Sequence, residues 1–200
     1  MNKFVRISLT FLVLALCTGV LAYADNNNLV NNGSFETGDF SSWTVSGDPT
    51  FTGVCDASTC PGAFAPFDGN FAGYFGPVGD TASISQMIPT TPGDEYSLSF
   101  YLANPEGGTP NYFAVTFGNS TFSFTNFGVA FSWQQFTMTT VATGTETPLQ
   151  FSFQNDPGYW FLDNVQVQQG AGTVPEPSTF AMFGSGALAL GGLIRRKFRA

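Results

Sequence analysis

The groups able to do chemistry in this 200-residue chain are carboxylates, amides, hydroxyls and aromatic rings, because residues 7–194 contain no Lys, Arg or His. All 14 acidic residues lie in that interval and all six basic ones lie outside it. Without His or Lys, the usual nucleophile–base pairs of acyl transfer cannot be assembled. Only paired carboxylates could act as acid and base, as in glycoside hydrolysis. Asp94 and Glu95 are neighbours in a turn and point apart, so no catalytic residue is assigned and the chain is not read as an enzyme. The acidic surplus also speaks against nucleic acid or anionic lipid partners, which require clustered Lys and Arg.

One carboxylate stands out. Asp163 is in phase with Phe161, Val165 and Val167, which predicts an inward position where an unpaired charge is costly. No basic side chain can partner it, so the partner is either a metal ion or a set of backbone N–H donors. The aromatic residues suggest a second kind of chemistry, since an exposed ring stacks on a sugar while amides bond its hydroxyls. Tyr101, Trp160, Tyr112 and Tyr74 are the carbohydrate-binding candidates, with Trp43 and Tyr159 behind them and Asn111, Gln86 and Asn155 as polar neighbours. Tyr101 shares its strand face with Ser97 and Ser99 and is placed outward; Trp160, alternating with Leu162, is read the same way. Packing into a core or sheet face is the competing reading for each ring, and for Trp43 the stronger one. Thr137, Thr139 and Thr140 are too few for a regular ice-binding array.

The elements that must position these groups are strands. Residues 25–170 form one domain-sized unit, rich in Phe and poor in charge. Period-two alternation recurs through Tyr96 to Leu102, Phe113 to Phe117, Phe122 to Phe124, Trp133 to Thr140, Leu149 to Phe153 and Trp160 to Val167. Phe40 to Val45, Gly73 to Gly76 and Ser83 to Ile88 supply shorter strands. Eight or nine strands without a helix predict an all-β antiparallel β-sandwich, with the jelly roll as the favoured version. Cys55 and Cys60, in a turn-rich loop of an exported domain, are expected to form a disulfide.

Both ends carry addresses. Residues 1–24 have the layout of a secretory signal peptide: Lys3 and Arg6, an apolar stretch, then Ala22 and Ala24 at the positions a signal peptidase reads. At the other end come a linker through Thr179 that includes Val174, Pro175, Glu176 and Pro177, an apolar segment at 180–194, and a basic tail at 195–200. Residues 180–194 are read as a single transmembrane helix, since a helix over Ser178 to Ile194 would reach about 25 Å, just short of a typical hydrocarbon core. Arg195, Arg196 and Lys197 act as the stop that stays in the cytoplasm. This order resembles the PEP-CTERM sorting signal of Gram-negative bacteria. The resemblance implies recognition by an exosortase, a transient anchor in the inner membrane, and delivery to the cell envelope or beyond.

The domain has its own resemblance. Asn28 to Gly38, followed by Trp43 and Thr44, and Phe161 to Val165 are similar to the opening and closing motifs of galactose-binding-like jelly rolls, including carbohydrate-binding module families four and nine. That implies noncatalytic glycan binding, linked to exopolysaccharide or biofilm matrix, with a structural matrix protein as the alternative. It also implies a structural calcium ion held by Glu36 and Asp163, with backbone carbonyls completing the shell.

Overall fold

A computed structural model describes residues 28–170. The expected signal peptide, linker, apolar segment and basic tail lie outside those residues. Among the described residues, no helix is long and apolar enough to cross a membrane.

The ten strands are β1 (Thr44–Gly47), β2 (Thr52–Asp56), β3 (Phe71–Phe75), β4 (Ala82–Pro89), β5 (Glu95–Asn104), β6 (Asn111–Phe117), β7 (Ser120–Thr125), β8 (Phe131–Val141), β9 (Glu146–Asn155) and β10 (Trp160–Gln169). They form two five-stranded sheets, ordered β1-β4-β9-β6-β7 and β2-β3-β10-β5-β8, with antiparallel pairing throughout. This is the sandwich that the alternation predicts. Each strand turns one set of apolar side chains inward because successive residues point to opposite faces. Phe113 on β6, Phe151 and Phe153 on β9, Phe100 on β5 and Phe75 on β3 are all buried there. Phe75 and Phe153 stack across the two sheets with ring centroids 3.8 Å apart.

Two strands differ from expectation. β2 is not among the expected strands, because Gly53 and the flanking turn residues weaken its signal. The first strand begins at Thr44 instead of Phe40: the Trp43 N–H closes a turn onto the Phe40 carbonyl at 2.9 Å, and Phe40 packs on Phe35 and Phe75. The first described residues lie along the last strand. Leu29 N–H donates to Val167 O, Val165 N–H to Gly33 O, and the Asn28 side chain both donates to Val165 O and accepts from Val167 N–H. The opening and closing motifs are thus neighbours, as the resemblance implies.

β10 carries the main correction. Its pairing with β5 shifts between Asp163 and Gln166, and Asn164 has a positive φ of 48°. Such a bulge inverts the alternation. Before it, Trp160 and Leu162 face the core while Phe161 and Asp163 face outward; after it, Val165 and Val167 face the core. Asp163 is therefore not on the inner face. It is fully buried all the same, because a loop lies over it.

Candidate functional site

That loop runs between β2 and β3 across the outer face of the second sheet, and Asp163 and Glu36 hold it by its backbone. Asp163 Oδ2 accepts the N–H groups of Phe67 (3.0 Å) and Asp68 (3.1 Å), while Oδ1 accepts that of Asn164 (2.6 Å). Glu36 Oε1 accepts the N–H groups of Asn70 (2.9 Å) and Phe71 (3.0 Å), and Oε2 the Asn70 side-chain amide (3.3 Å). The two carboxylates bracket residues 67–71. Gly69 is at the centre with φ +62°, and a Cβ there would collide with the Glu36 carboxylate. Glycine is needed at that point both for the backbone conformation and for the space.

The two acids respond differently to their settings. Burial pushes the Asp163 carboxyl up to about 7, against the N–H groups of Asp68, Asn164 and Phe67, with the Asp68 charge adding to the rise. Burial opposes the Glu36 charge too, but the Phe71 and Asn70 donors outweigh it and hold Glu36 below the usual value. An all-oxygen pair beside Asp68 has the right chemistry for calcium. Yet each carboxylate already has N–H hydrogens directed at its oxygens, and among the described residues no group of three or more His, Cys, Asp or Glu side chains could hold a metal ion. Of the two partners open to Asp163, the backbone donors are the ones in place.

The loop is tied down further. Cys55 and Cys60 are joined in a disulfide, as expected, with Cα atoms 4.8 Å apart. Phe64 packs on Phe161 and Trp133, and the Trp133 indole N–H donates to the Ala65 carbonyl at 2.9 Å.

The four sugar-stacking candidates do not converge. Tyr101 is on the outer face with Ser97 and Ser99, as read, but Phe67 covers its ring at a centroid distance of 3.5 Å. Tyr74 lies over Gly53, where a Cβ would meet its ring, and its edge meets Tyr159. Trp160 is a correction: it is fully buried among Phe113, Phe124 and Phe131, and its indole N–H bonds the Gln154 carbonyl at 3.1 Å. The bulge explains the error, since the phase taken from Val165 and Val167 does not hold before Asn164. Trp43 is buried, as its competing reading holds. The polar neighbours are structural. Gln86 bonds the backbone of Asn31 and Ser42, while Asn111 and Asn155 are buried.

Tyr112 alone is on the outer face of the first sheet, and the register there gathers residues that single-strand reasoning misses. One row across the five strands reads Ser46–Ser83–Ser152–Ala114–Ser123, and the next reads Thr44–Ser85–Gln150–Thr116–Thr121. Gln154, Tyr112 and Thr125 border the first row. Ser83 and Ser152 share a hydroxyl hydrogen bond of 2.8 Å, and Gln150 Nε2 donates to Ser152 Oγ at 3.2 Å. These rows hold small side chains, hydroxyls, amides and one ring, without a single charge. The signal is present in the alternate Ser and Thr positions of three strands, β1, β4 and β7, but it forms a surface only once the strands are in register.

Comparison with known proteins bears on both the end and the domain. Residues 173–197 match the family described as the PEP-CTERM protein-sorting motif. The chain carries a PEP-CTERM sorting signal. That signal indicates an exported protein, transiently anchored in the membrane and processed at the cell envelope. No curated protein matches this PEP-CTERM chain. Among solved structures it is similar to TmCBM61, described in complex with β-1,4-galactotriose, with a TM-score of 0.59, 21% identity, and coverage of 72% of this chain and 99% of that one. It is also similar to a family 16 carbohydrate-binding module, with a TM-score of 0.50, 13% identity, and coverage of 70% and 99%. A third likeness, to the enzymatically active domain of bacteriophage CBA120 tailspike protein 4, has a TM-score of 0.53 and 18% identity and covers 72% of this chain and 21% of that one. At these identities the likeness establishes the fold alone, a two-sheet jelly-roll sandwich.

Proposed function

We propose that this PEP-CTERM chain delivers a noncatalytic glycan-binding module to the cell envelope, and that the glycan lies along the outer face of the first sheet. The observation that carries this reading is the pair of uncharged rows bordered by Tyr112. Neutral sugars present many hydroxyls and no charge, so hydroxyls and amides of either polarity match them, and one ring suffices to orient a pyranose. The opposite face is partly covered by the loop between β2 and β3. Charge refines the class of ligand. Between residues 28 and 170 the chain has all its acids except Asp25 and Glu176, hence 12, and no basic residue, so a neutral polysaccharide suits it better than a polyuronate.

Several features support the absence of catalysis in this reading. The two partly sequestered carboxylates are committed to backbone N–H groups, and the two rows themselves hold no acid, Glu146 lying apart from them at the start of β9. Sorting by an exosortase then places the module where extracellular polysaccharide or biofilm matrix is made. A regular ice-binding array fits the face poorly, since its rows mix Ser, Thr, Gln and Ala. A calcium ion shared by Glu36 and Asp163 is a second proposal. Its support is a buried carboxylate next to Asp68 with no basic side chain available, and it requires the bound N–H groups to give way.

Calorimetric titration with β-1,4-galactotriose and a panel of neutral oligosaccharides tests the main reading. Tyr112→Ala is expected to weaken binding by about tenfold, the loss of one stacked ring, while Tyr101→Ala leaves it unchanged. Absence of binding across the panel, or a loss confined to Tyr101→Ala, would remove the proposal.

A further inference from the structure

β7 and β8 are the edge strands on the same side of the sandwich, and neither is protected. Among the described residues β7 pairs only with β6, and β8 only with β5, so both leave rows of backbone N–H and C=O groups without a strand partner there. Edge strands are commonly guarded by charge, proline or glycine-based bulges. β8 has no charge and no proline in its eleven residues, FSWQQFTMTTV, and its one register shift against β5 lies near its start, between Phe131 and Gln134. From Gly107 to Thr145, the stretch that builds β6, β7 and β8, the sequence has no Asp, Glu, Lys, Arg or His. Between the two edges opens a slot of about 300 Å³, lined on its apolar side by Phe100, Phe122, Phe136 and Met138. One side-chain bond spans it, from Ser120 Oγ to the Thr139 carbonyl at 2.7 Å.

We propose that this edge is a self-association surface, with β8 pairing antiparallel to β8 of a second copy. Charge selects the occupant. With 12 carboxylates and no cation among residues 28–170, two copies repel wherever acids are brought together, and no acid has a Lys or Arg to offset it. The β7–β8 side lets copies meet without that penalty. Backbone complementarity points the same way, because an antiparallel two-fold brings identical edges together with every donor opposite an acceptor. Joined so, the second sheets become one continuous sheet, and the two apolar slots face each other across the axis. This surface adjoins the proposed glycan face only at its β7 edge, where Thr121 lies, so two copies would present two such faces to one polymer.

The test is a cysteine scan in the full-length, exported chain carrying Cys17→Ala. Gln135→Cys, Thr137→Cys and Thr139→Cys place single thiols at exposed positions near the middle and end of β8, and Val78→Cys, on an exposed loop away from this edge, is the control. Directly opposed side chains in an antiparallel pair have Cβ atoms about 4.5–5.5 Å apart, within reach of a disulfide after small adjustment. We expect a disulfide-linked dimer on non-reducing gels for at least one β8 position and none for Val78→Cys. Adding a glutamate at a second exposed β8 position, Thr137→Glu or, where Thr137→Cys is the reactive variant, Thr139→Glu, should reduce the dimer at least tenfold while leaving the melting temperature unchanged. Failure of all three positions to cross-link, or cross-linking of Val78→Cys to the same extent, overturns the proposal.

Discussion

Replacing Asp163 by Asn should change the pH dependence of stability more than the stability itself. The carboxyl has its ordinary value of 3.8 when unfolded and about 7 when folded, so the folded state holds its proton more tightly. A raised folded value means that the stabilisation is complete below pH 3.8 and is lost as pH rises through about 7. The distance between those two values corresponds to about 4 kcal/mol lost by pH 8. The amide of Asp163→Asn has no charge to desolvate, and its oxygen can still accept from Phe67 and Asp68. Its NH₂ group then faces the Asn164 N–H, which loses its acceptor, at a cost of about 1–3 kcal/mol. At pH 5 the wild type has lost about 2 kcal/mol of that stabilisation and should be close to Asp163→Asn or above it, whereas at pH 8 Asp163→Asn should exceed it. Urea denaturation at pH 5, 6, 7 and 8 in EDTA measures this directly. Parallel curves, with a difference that does not vary with pH, would refute the reasoning. The same series in 1 mM calcium tests the metal proposal: a bound ion should raise wild-type stability at pH 8 and leave Asp163→Asn unmoved, and equal behaviour with and without calcium would defeat it.

Two further substitutions separate folding from function. Gly69→Ala forces a Cβ onto Glu36 at a positive φ, and should cost about 1–3 kcal/mol in chemical denaturation while leaving glycan affinity unchanged. Trp160→Ala removes a fully buried ring and should destabilise the domain by about 3–5 kcal/mol, whereas Tyr112→Ala, half-exposed on the first sheet, should cost less than about 1.5 kcal/mol and act on binding instead.

The sandwich is legible in the sequence because its core strands keep strict alternation, Leu98, Phe100 and Leu102 being the clearest run. The neighbouring positions of the opening and closing motifs follow from the resemblance, and Asn28, Gly33 and Val165 give them a hydrogen-bonded basis. Face assignment fails on β10. One residue at a positive φ, Asn164, separates two runs of opposite phase, and neither side chains nor spacing announce it. Alternation puts both Trp160 and Asp163 on the wrong face for that single reason, although it rightly makes Asp163 buried and in need of partners. Two of the three N–H donors that satisfy it come from residues 67 and 68, nearly a hundred positions away, where no local pattern marks them. The polar rows of the first sheet are hidden for another reason. Ser, Thr and Gln at alternate positions read as an ordinary solvent face until five strands align them.

The proposed glycan binding turns above all on which face the sugar meets. A ¹H–¹⁵N correlation spectrum, titrated with β-1,4-galactotriose and then with other neutral oligosaccharides, reports this residue by residue. The predicted result is a set of saturable shifts at Ser83, Ser85, Tyr112, Thr116, Gln150 and Ser152, with Ser97, Tyr101 and Gln135 unmoved. Shifts centred on β5 and β8, or none with any neutral glycan, would contradict it.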